Sequence, residues 1–192
     1  MRVITFALFV SLLGAGCQKQ NAKEKRYQDF DSLVNAQVTY LTRSKASLKK
    51  KATIGCKSDS TSIVPDSTTW SHELDVFRQL DLINRPIYRD AYIVKDRTKD
   101  SKSNLLILSY EAPPTFTVPY LRLFYQDSPK RLKKLEALYQ ESNSLYNTKR
   151  ILKMYFDDSK GKPYLTGYTI DGNQKMMLSD STHYTITAEI TF

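Results

Sequence analysis

The sequence of 192 residues has few of the residue types that most enzymes and metalloproteins concentrate at their sites. It contains two cysteines, two histidines, six glycines and one tryptophan. Two cysteines exclude a disulfide-dense scaffold. The sequence has no phosphate-binding glycine loop, no Gly-x-Ser-x-Gly elbow and no Cys-x-x-Cys pair. No local motif therefore specifies a reaction or a cofactor.

Long apolar runs are also missing, except at the start of the chain. Met1 and Arg2 precede an apolar run from Val3 to Leu13, and small residues follow at 14–16. Eleven helical residues reach roughly 16 Å, about half of the hydrocarbon core of a bilayer. The pattern predicts a signal peptide over residues 1–16. The alternative is a buried N-terminal helix of a cytosolic protein.

Cys17 directly follows the small residues Gly14-Ala15-Gly16. This arrangement resembles the lipobox of bacterial lipoproteins, although the usual leucine is displaced by one place, to Leu13. The resemblance implies that Cys17 is acylated and begins the mature chain, with palmitate-type chains as its membrane anchor. The alternative is ordinary cleavage with a Cys17–Cys56 disulfide in an oxidising compartment.

Residues 18–28 are polar and basic, which predicts a tether that cannot fold alone. Together with Cys17, which the lipobox resemblance implies is lipidated, they form the segment 17–28. Residues 29–192 are predicted to form one domain. Removal of residues 1–16 takes away a single charged residue, Arg2, so the formal charge falls from +9 to +8. The basic residues are scattered and form no recognition motif, so we expect no nucleic-acid partner.

Two amphipathic helices are predicted in the first half of the domain. The spacing of Phe30, Val34, Val38 and Leu41 predicts a helix over residues 30–44. Asp66 can cap a second helix, which is predicted to end near Asn84. Its apolar face comprises Trp70, Leu74, Phe77 and Leu80.

A period of two predicts strands over most of the remaining sequence. Alternation over 48–56 places Cys56 with buried Ala52 and Ile54, and 57–62 is predicted to be a loop. Further strands are predicted near 88–96, 105–111, 117–126, 131–141, 145–156, 163–174 and 182–192. The predicted fold is α+β, with two amphipathic helices packed on a twisted antiparallel meander of about six to eight strands.

The segments Trp70–Leu74 and Tyr88–Tyr92, together with the exported cysteine and the tyrosine-rich meander, resemble exported lipoproteins of Bacteroidota-type bacteria. The resemblance implies an envelope location and no known catalysis. The sequence after Cys17 lacks the acidic stretch that accompanies surface export in such lipoproteins. We therefore expect anchorage in the outer membrane, with the domain facing the periplasm.

Candidate catalytic residues are few. His72 and Glu73 are adjacent on a helix and point about 100° apart, and His183 has solvent-facing parity. The pairs Asp157–Asp158 and Asp96–Asp100 fit turns better than a calcium loop. We expect neither a metal nor a cofactor, and no enzymatic activity.

Aromatic residues provide the remaining candidate site. Strand parity groups six of them into three pairs on adjacent strands: Tyr120 and Phe124, Tyr146 and Phe156, Tyr164 and Tyr168. They either form the core beneath the helices or line an uncovered concave face. The export signal and the missing catalytic constellation favour a non-enzymatic lipoprotein that binds another envelope component. An uncovered concave face would instead favour a carrier of a lipid or small apolar ligand.

We expect the mature protein to begin at Cys17 and to carry the mass of its acyl chains, which mass spectrometry of the membrane fraction measures. Cys17→Ser should abolish both the acyl mass and membrane anchorage. A wild-type chain without acyl mass, together with a variant that remains membrane-bound, would contradict the assignment.

Overall fold

The fold is given by a computed structural model that describes residues 25–159 and 161–192. The predicted signal peptide, Cys17 and most of the tether lie outside these residues. Within the described ranges, no helix is both long enough and apolar enough to cross a lipid bilayer. Every core side chain belongs to residues 27–190, so the described domain contains its own core.

Helix α1 spans Phe30–Arg43, as the spacing of its apolar residues predicts. Asp29 caps it by accepting a hydrogen bond from the Ser32 backbone N–H at 2.9 Å. Its buried side chains are Phe30, Val34, Gln37, Val38 and Leu41. The helix therefore presents one apolar stripe, interrupted by one amide, to the sheet.

The second predicted helix is divided. Helix α2 spans Ser67–Glu73 behind its Asp66 cap, helix α3 spans Asp75–Arg78, and 3-10 turns span Gln79–Asn84 and Pro86–Tyr88. The buried residues of this segment are Trp70, Leu74, Phe77, Leu80 and Ile83. From Leu74 onward they recur every three residues, which is the repeat of a 3-10 helix rather than of an α-helix.

The described residues contain nine antiparallel strands in one open sheet, one more than the upper end of the predicted range. Their order is β2-β1-β9-β8-β7-β6-β5-β4-β3. The bounds are β1 Ser47–Ile54, β2 Lys57–Ile63, β3 Ile93–Lys99, β4 Leu106–Glu111, β5 Tyr120–Tyr125, β6 Leu132–Ser142, β7 Tyr146–Ser159, β8 Lys162–Met176 and β9 Thr182–Thr191. The meander from β3 to β9 is confirmed, and β1 extends it by pairing with β9.

The prediction of a loop at 57–62 was wrong, because these residues belong to β2. Every residue of β2 is exposed, so its sequence carries no apolar alternation and only its backbone ladder to β1 defines the strand. The predicted burial of Cys56 was also wrong. Strand β1 ends at Ile54, Gly55 turns the chain with φ +56°, and Cys56 is exposed in the turn.

The helices cover one face of the sheet. Rows of directly opposed residues line this face, including Leu121–Ala137–Leu152–Ile170 and Leu123–Leu135–Met154–Tyr168. The ring of Phe77 meets that of Tyr168 edge to face at 5.5 Å. The other face of the sheet carries no helix from the described residues, and we call it the open face.

Gln37 is the buried amide of α1 and lies against an irregularity in β8. The register between β7 and β8 shifts so that Tyr155 opposes Gly167 and Phe156 opposes Leu165. Gln37 accepts a hydrogen bond from the Leu165 N–H at 2.8 Å and donates one to the Pro163 carbonyl at 3.1 Å. One buried side chain thus satisfies two backbone groups near the bulge and fixes α1 on the sheet.

In strand β9, residues on opposite faces of the sheet differ in burial. Ile190 is 4% exposed, whereas Thr187 is exposed. We expect Ile190→Ala to lower the free energy of unfolding by about 2–5 kcal/mol, because it leaves a cavity in the core. Thr187→Ala should change it by less than about 0.5 kcal/mol. Denaturant titration measures both values, and similar small effects would show that β9 contributes little to the core.

Candidate functional site

The first described residues are fixed to the helical layer by a cluster of charged groups. The Lys25 ammonium lies 2.7 Å from Asp29 Oδ1, 3.0 Å from Asp31 Oδ2 and 2.8 Å from Asp81 Oδ2. The three carboxylates approach one another within 4.8 Å. Because one ammonium bonds all three, the cluster already holds a cation of its own. Its arrangement is that of a structural clamp.

The pKa values in this cluster follow from its geometry. Burial favours the neutral form of Lys25, but its hydrogen bonds to Asp29, Asp81 and Asp31 outweigh burial and raise its pKa. Burial likewise opposes ionisation of Asp29, whereas its bonds to Lys25 and Ser32 lower the pKa of Asp29 to about 2. Both groups are therefore charged at neutral pH.

Two further side chains hold the same segment. Asn84 accepts from the Tyr27 N–H at 3.0 Å and donates to the Gln28 carbonyl at 2.9 Å. The ring of Tyr27 packs edge to face against Tyr92 and Tyr110 at 5.4 and 5.5 Å. Residues 25–28, which the sequence assigned to the tether, thus pack into the domain.

A cleft of about 690 Å³ adjoins this clamp. It runs from Lys25 along the 3-10 turn to the strand residues Tyr139 and Glu141. Arginines and carboxylates both line it, among them Arg78, Arg85 and Asp31, without a cysteine or histidine. Such a lining suits polar contacts but supplies no nucleophile paired with a base.

A smaller notch of about 330 Å³ lies where helices α2 and α3 stop short of β9. Its apolar wall comprises Val76, Ile170, Tyr184 and Ile186. At its rim, Glu73 accepts hydrogen bonds from the Tyr168 hydroxyl and from Lys50, whose Nζ lies 2.7 Å from Oε1. Burial, reinforced by Glu73, raises the pKa of Tyr168, so this phenol stays protonated at neutral pH.

The open face carries a second group of residues, which we call the basic–aromatic platform. Its members lie on β5, β6 and β7: Tyr120, Arg122, Phe124, Lys134, Glu136, Lys153 and Tyr155. Arg122, Glu136 and Lys153 are directly opposed across the three strands. Three cations and one carboxylate leave the platform with a formal charge of +2.

The cations of the platform lie over its rings. Arg122 Cζ is 4.8 Å from the Tyr120 ring centroid, and Lys134 Nζ is 4.5 Å from that of Phe124. Lys134 also approaches Glu136 Oε2 at 2.8 Å. These contacts hold the long side chains in place, so the platform presents ordered positive charge above aromatic surface.

The six aromatic residues singled out from the sequence do not share one surface. Phe156 and Tyr168 belong to the core, and Tyr120 and Phe124 belong to the open face. Tyr164 stacks on Tyr40 of α1 at 5.4 Å. Tyr146 pairs with Met176 at the far end of β8. The bulge in β8 separates Tyr164 from Tyr168, which strict alternation had placed on the same side.

The polar candidates are also dispersed. His72 is exposed, and His183 is exposed with Nε2 3.1 Å from Asp171 Oδ1. Asp158 accepts a hydrogen bond from the Gly161 N–H in the hairpin turn. Asp157 lies 3.0 Å from Lys133, and Asp96 accepts from the Tyr125 hydroxyl. Asp158 thus acts as a turn residue, as the sequence predicts.

Comparisons of this chain with protein-family models, curated proteins and solved structures found no match.

The clamp predicts a specific loss of stability in acid. The folded pKa of Asp29 is about 2 against an ordinary 3.8, so its contribution is present above about pH 4 and is lost as pH falls towards 2. Asp29→Asn keeps a capping side chain but removes the charge. It should lower the free energy of unfolding at pH 7 by about 1 kcal/mol, a value discounted for the 38% exposure of this side chain.

Denaturant titrations at pH 7, 4, 3 and 2 measure this difference. The difference in free energy of unfolding between wild type and Asp29→Asn should disappear as the pH falls from 4 to 2. Asp59→Asn, which removes an exposed carboxylate from β2, is the control and should leave stability nearly unchanged. A gap that persisted at pH 2 would contradict the role of the Asp29 charge.

Proposed function

We propose that the chain is an acyl-anchored envelope lipoprotein, facing the periplasm and without enzymatic activity, whose domain binds an anionic envelope component. The observation that carries the proposal is the basic–aromatic platform on the open face. Aromatic side chains and arginine are enriched at binding interfaces. Net positive charge attracts an anionic partner and speeds its association.

The neighbourhood of the platform supports this choice of chemistry. Glu111, at its rim, is paired with Lys95 at 2.7 Å. Lys51 continues the row of Arg122, Glu136 and Lys153 through Thr169 and Thr187. An extended anion could therefore contact cations on β5, β7 and β1 along one line across the sheet.

A second candidate is a carrier of a small apolar ligand. The observation that favours it is the apolar wall of the notch, where the Tyr184 ring packs over Gly172, at a position where any other side chain would collide with it. Its volume of about 330 Å³ lies at the lower end of ligand pockets. A ligand found in the purified domain by native mass spectrometry would favour this candidate over the first.

In-cell photo-cross-linking tests the platform. A photoreactive phenylalanine at Tyr155, which is 38% exposed on the platform, should capture one defined anionic species. The same residue at Tyr40, which is 39% exposed on α1, is the matched control and should not capture it. Lys134→Glu with Lys153→Glu should reduce the Tyr155 product at least about tenfold, because it reverses the charge of the platform.

Two results would overturn this proposal. Equal capture from Tyr155 and Tyr40 would mean that contact is unspecific. Capture unaffected by the charge reversal would mean that the partner is not held by the platform cations. Circular dichroism of the doubly substituted protein checks that the sheet is retained.

A further inference from the structure

Exposed large apolar side chains concentrate at one end of the sheet. The chain turns there between β1 and β2, β6 and β7, and β8 and β9, and β3 begins there. The residues concerned are Ile54, Ile87, Ile93, Val94, Leu145, Met176, Met177 and Leu178. The opposite end carries fewer, chiefly Ile63, Val64 and Phe192. Exposed apolar side chains are therefore distributed unequally between the two ends of the sheet.

Four of these residues form a contiguous group, which we call the apolar tip: Leu145, Met176, Met177 and Leu178. The Met177 N–H donates to the Leu145 carbonyl at 2.9 Å, so the two hairpin turns touch. Leu178 is 91% exposed, Met177 65% and Leu145 63%. Apolar side chains this exposed on adjacent turns indicate contact with something other than water.

The described chain begins at the same end. Lys25 is clamped beside the cleft that continues to Glu141, and Glu141 opposes Thr148 in the β6–β7 hairpin, whose turn contains Leu145. Seven residues separate Cys17 from Lys25. At no more than about 3.3–3.6 Å per residue, an acyl group on Cys17 lies within roughly 29 Å of Lys25. An anchored domain therefore has this end close to the bilayer.

Charge at this end complements an anionic bilayer. Arg26, Arg85 and Arg89 are all exposed, and Asp90 is paired with Arg26 at 2.5 Å. Arg85 and Arg89 flank Ile87, which is 80% exposed on a 3-10 turn. Basic residues beside exposed apolar side chains are typical of surfaces that lie at the membrane interface.

We propose that this end of the sheet docks on the membrane, with the apolar tip and Ile87 entering the interface and Arg85 and Arg89 contacting anionic headgroups. The proposal rests on the acyl anchor of the proposed function, and it adds a second, reversible membrane contact made by the folded domain. Two weak contacts hold a protein at a bilayer far better than either alone.

Vesicle sedimentation with residues 18–192, which retain the whole described domain but lack the acylated cysteine, tests the proposal. The protein should bind vesicles of 70% phosphatidylcholine and 30% phosphatidylglycerol. It should bind vesicles of pure phosphatidylcholine more weakly. Met177→Ser with Leu178→Ser should weaken binding at least about tenfold. Ile63→Ser with Val64→Ser, two exposed apolar residues at the opposite end, should leave it unchanged.

Charge variants test whether the positive charge acts at this end of the sheet. Arg85→Glu with Arg89→Glu should weaken binding about 20-fold or more. Lys102→Glu with Lys130→Glu makes the same change in net charge in exposed turns at the opposite end of the sheet and should have little effect. Cys56 supplies a second readout, because it is exposed in a turn whose Gly55 N–H bonds to His183 beside the tip. A polarity-sensitive dye on Cys56 should shift to the blue on vesicles.

Absence of vesicle binding, or equal binding by the tip variant and wild type, would overturn the proposal. If the tip variant instead converts a dimer to a monomer in analytical ultracentrifugation without altering vesicle binding, the tip contacts a second copy. Acylation of Cys17 is measured separately by mass, so failure of the docking surface and failure of the anchor are distinguishable.

Discussion

The fold depends on one constraint: every helix of the described residues comes from the segment between Phe30 and Tyr88. Within the described residues, that length of chain covers one face of a nine-stranded sheet and leaves the other face without a helix. The apolar alternation of β5 to β9 follows, since each strand buries one side and exposes the other. The open face and its platform thus follow from how little helix the described residues contain.

Polar side chains fix the helical layer at a few defined points. Gln37 bonds the backbone beside the bulge in β8, Glu73 joins α2 to β1 and β8, and Asn84 holds the first described residues. Apolar packing alone tolerates sliding, whereas each of these groups is satisfied in only one position. They therefore set the register of the helices on the sheet, and with it the point at which the chain enters the domain.

Helices and strands that bury one side have a periodic pattern of apolar residues, so they can be predicted from the sequence. The Asp66 cap and helix α1 were predicted correctly, and β6 and β9 are strands as predicted. Strand β2 was missed because a strand with no buried side has no period. The clamp could not be foreseen, since Lys25 and Asp81 are far apart in sequence and meet only through the fold.

The dispersal of the six aromatic residues has a related reason. Strict alternation assigns every second residue of a strand to the same face of the sheet. The bulge in β8 inserts an extra residue between Tyr164 and Tyr168, so this assignment does not hold across it. The platform uses Tyr120 and Phe124 from the predicted set and adds Arg122, Lys134 and Lys153, which had no pattern of their own. Cross-strand neighbours become visible only once the register between strands is known.

The polar character of β2 also bears on how copies of the protein meet one another. An open sheet ends in two strands with unsatisfied backbone groups, which can recruit a strand from another molecule. Here one such border is all exposed and rich in serine, and the other carries Lys95, Arg97 and Lys99, with Arg97 at φ +58° distorting the ladder. Molecules held at one membrane by the proposed anchor would collide often and in similar orientations. These borders would then keep a dense layer of them from joining into continuous sheets.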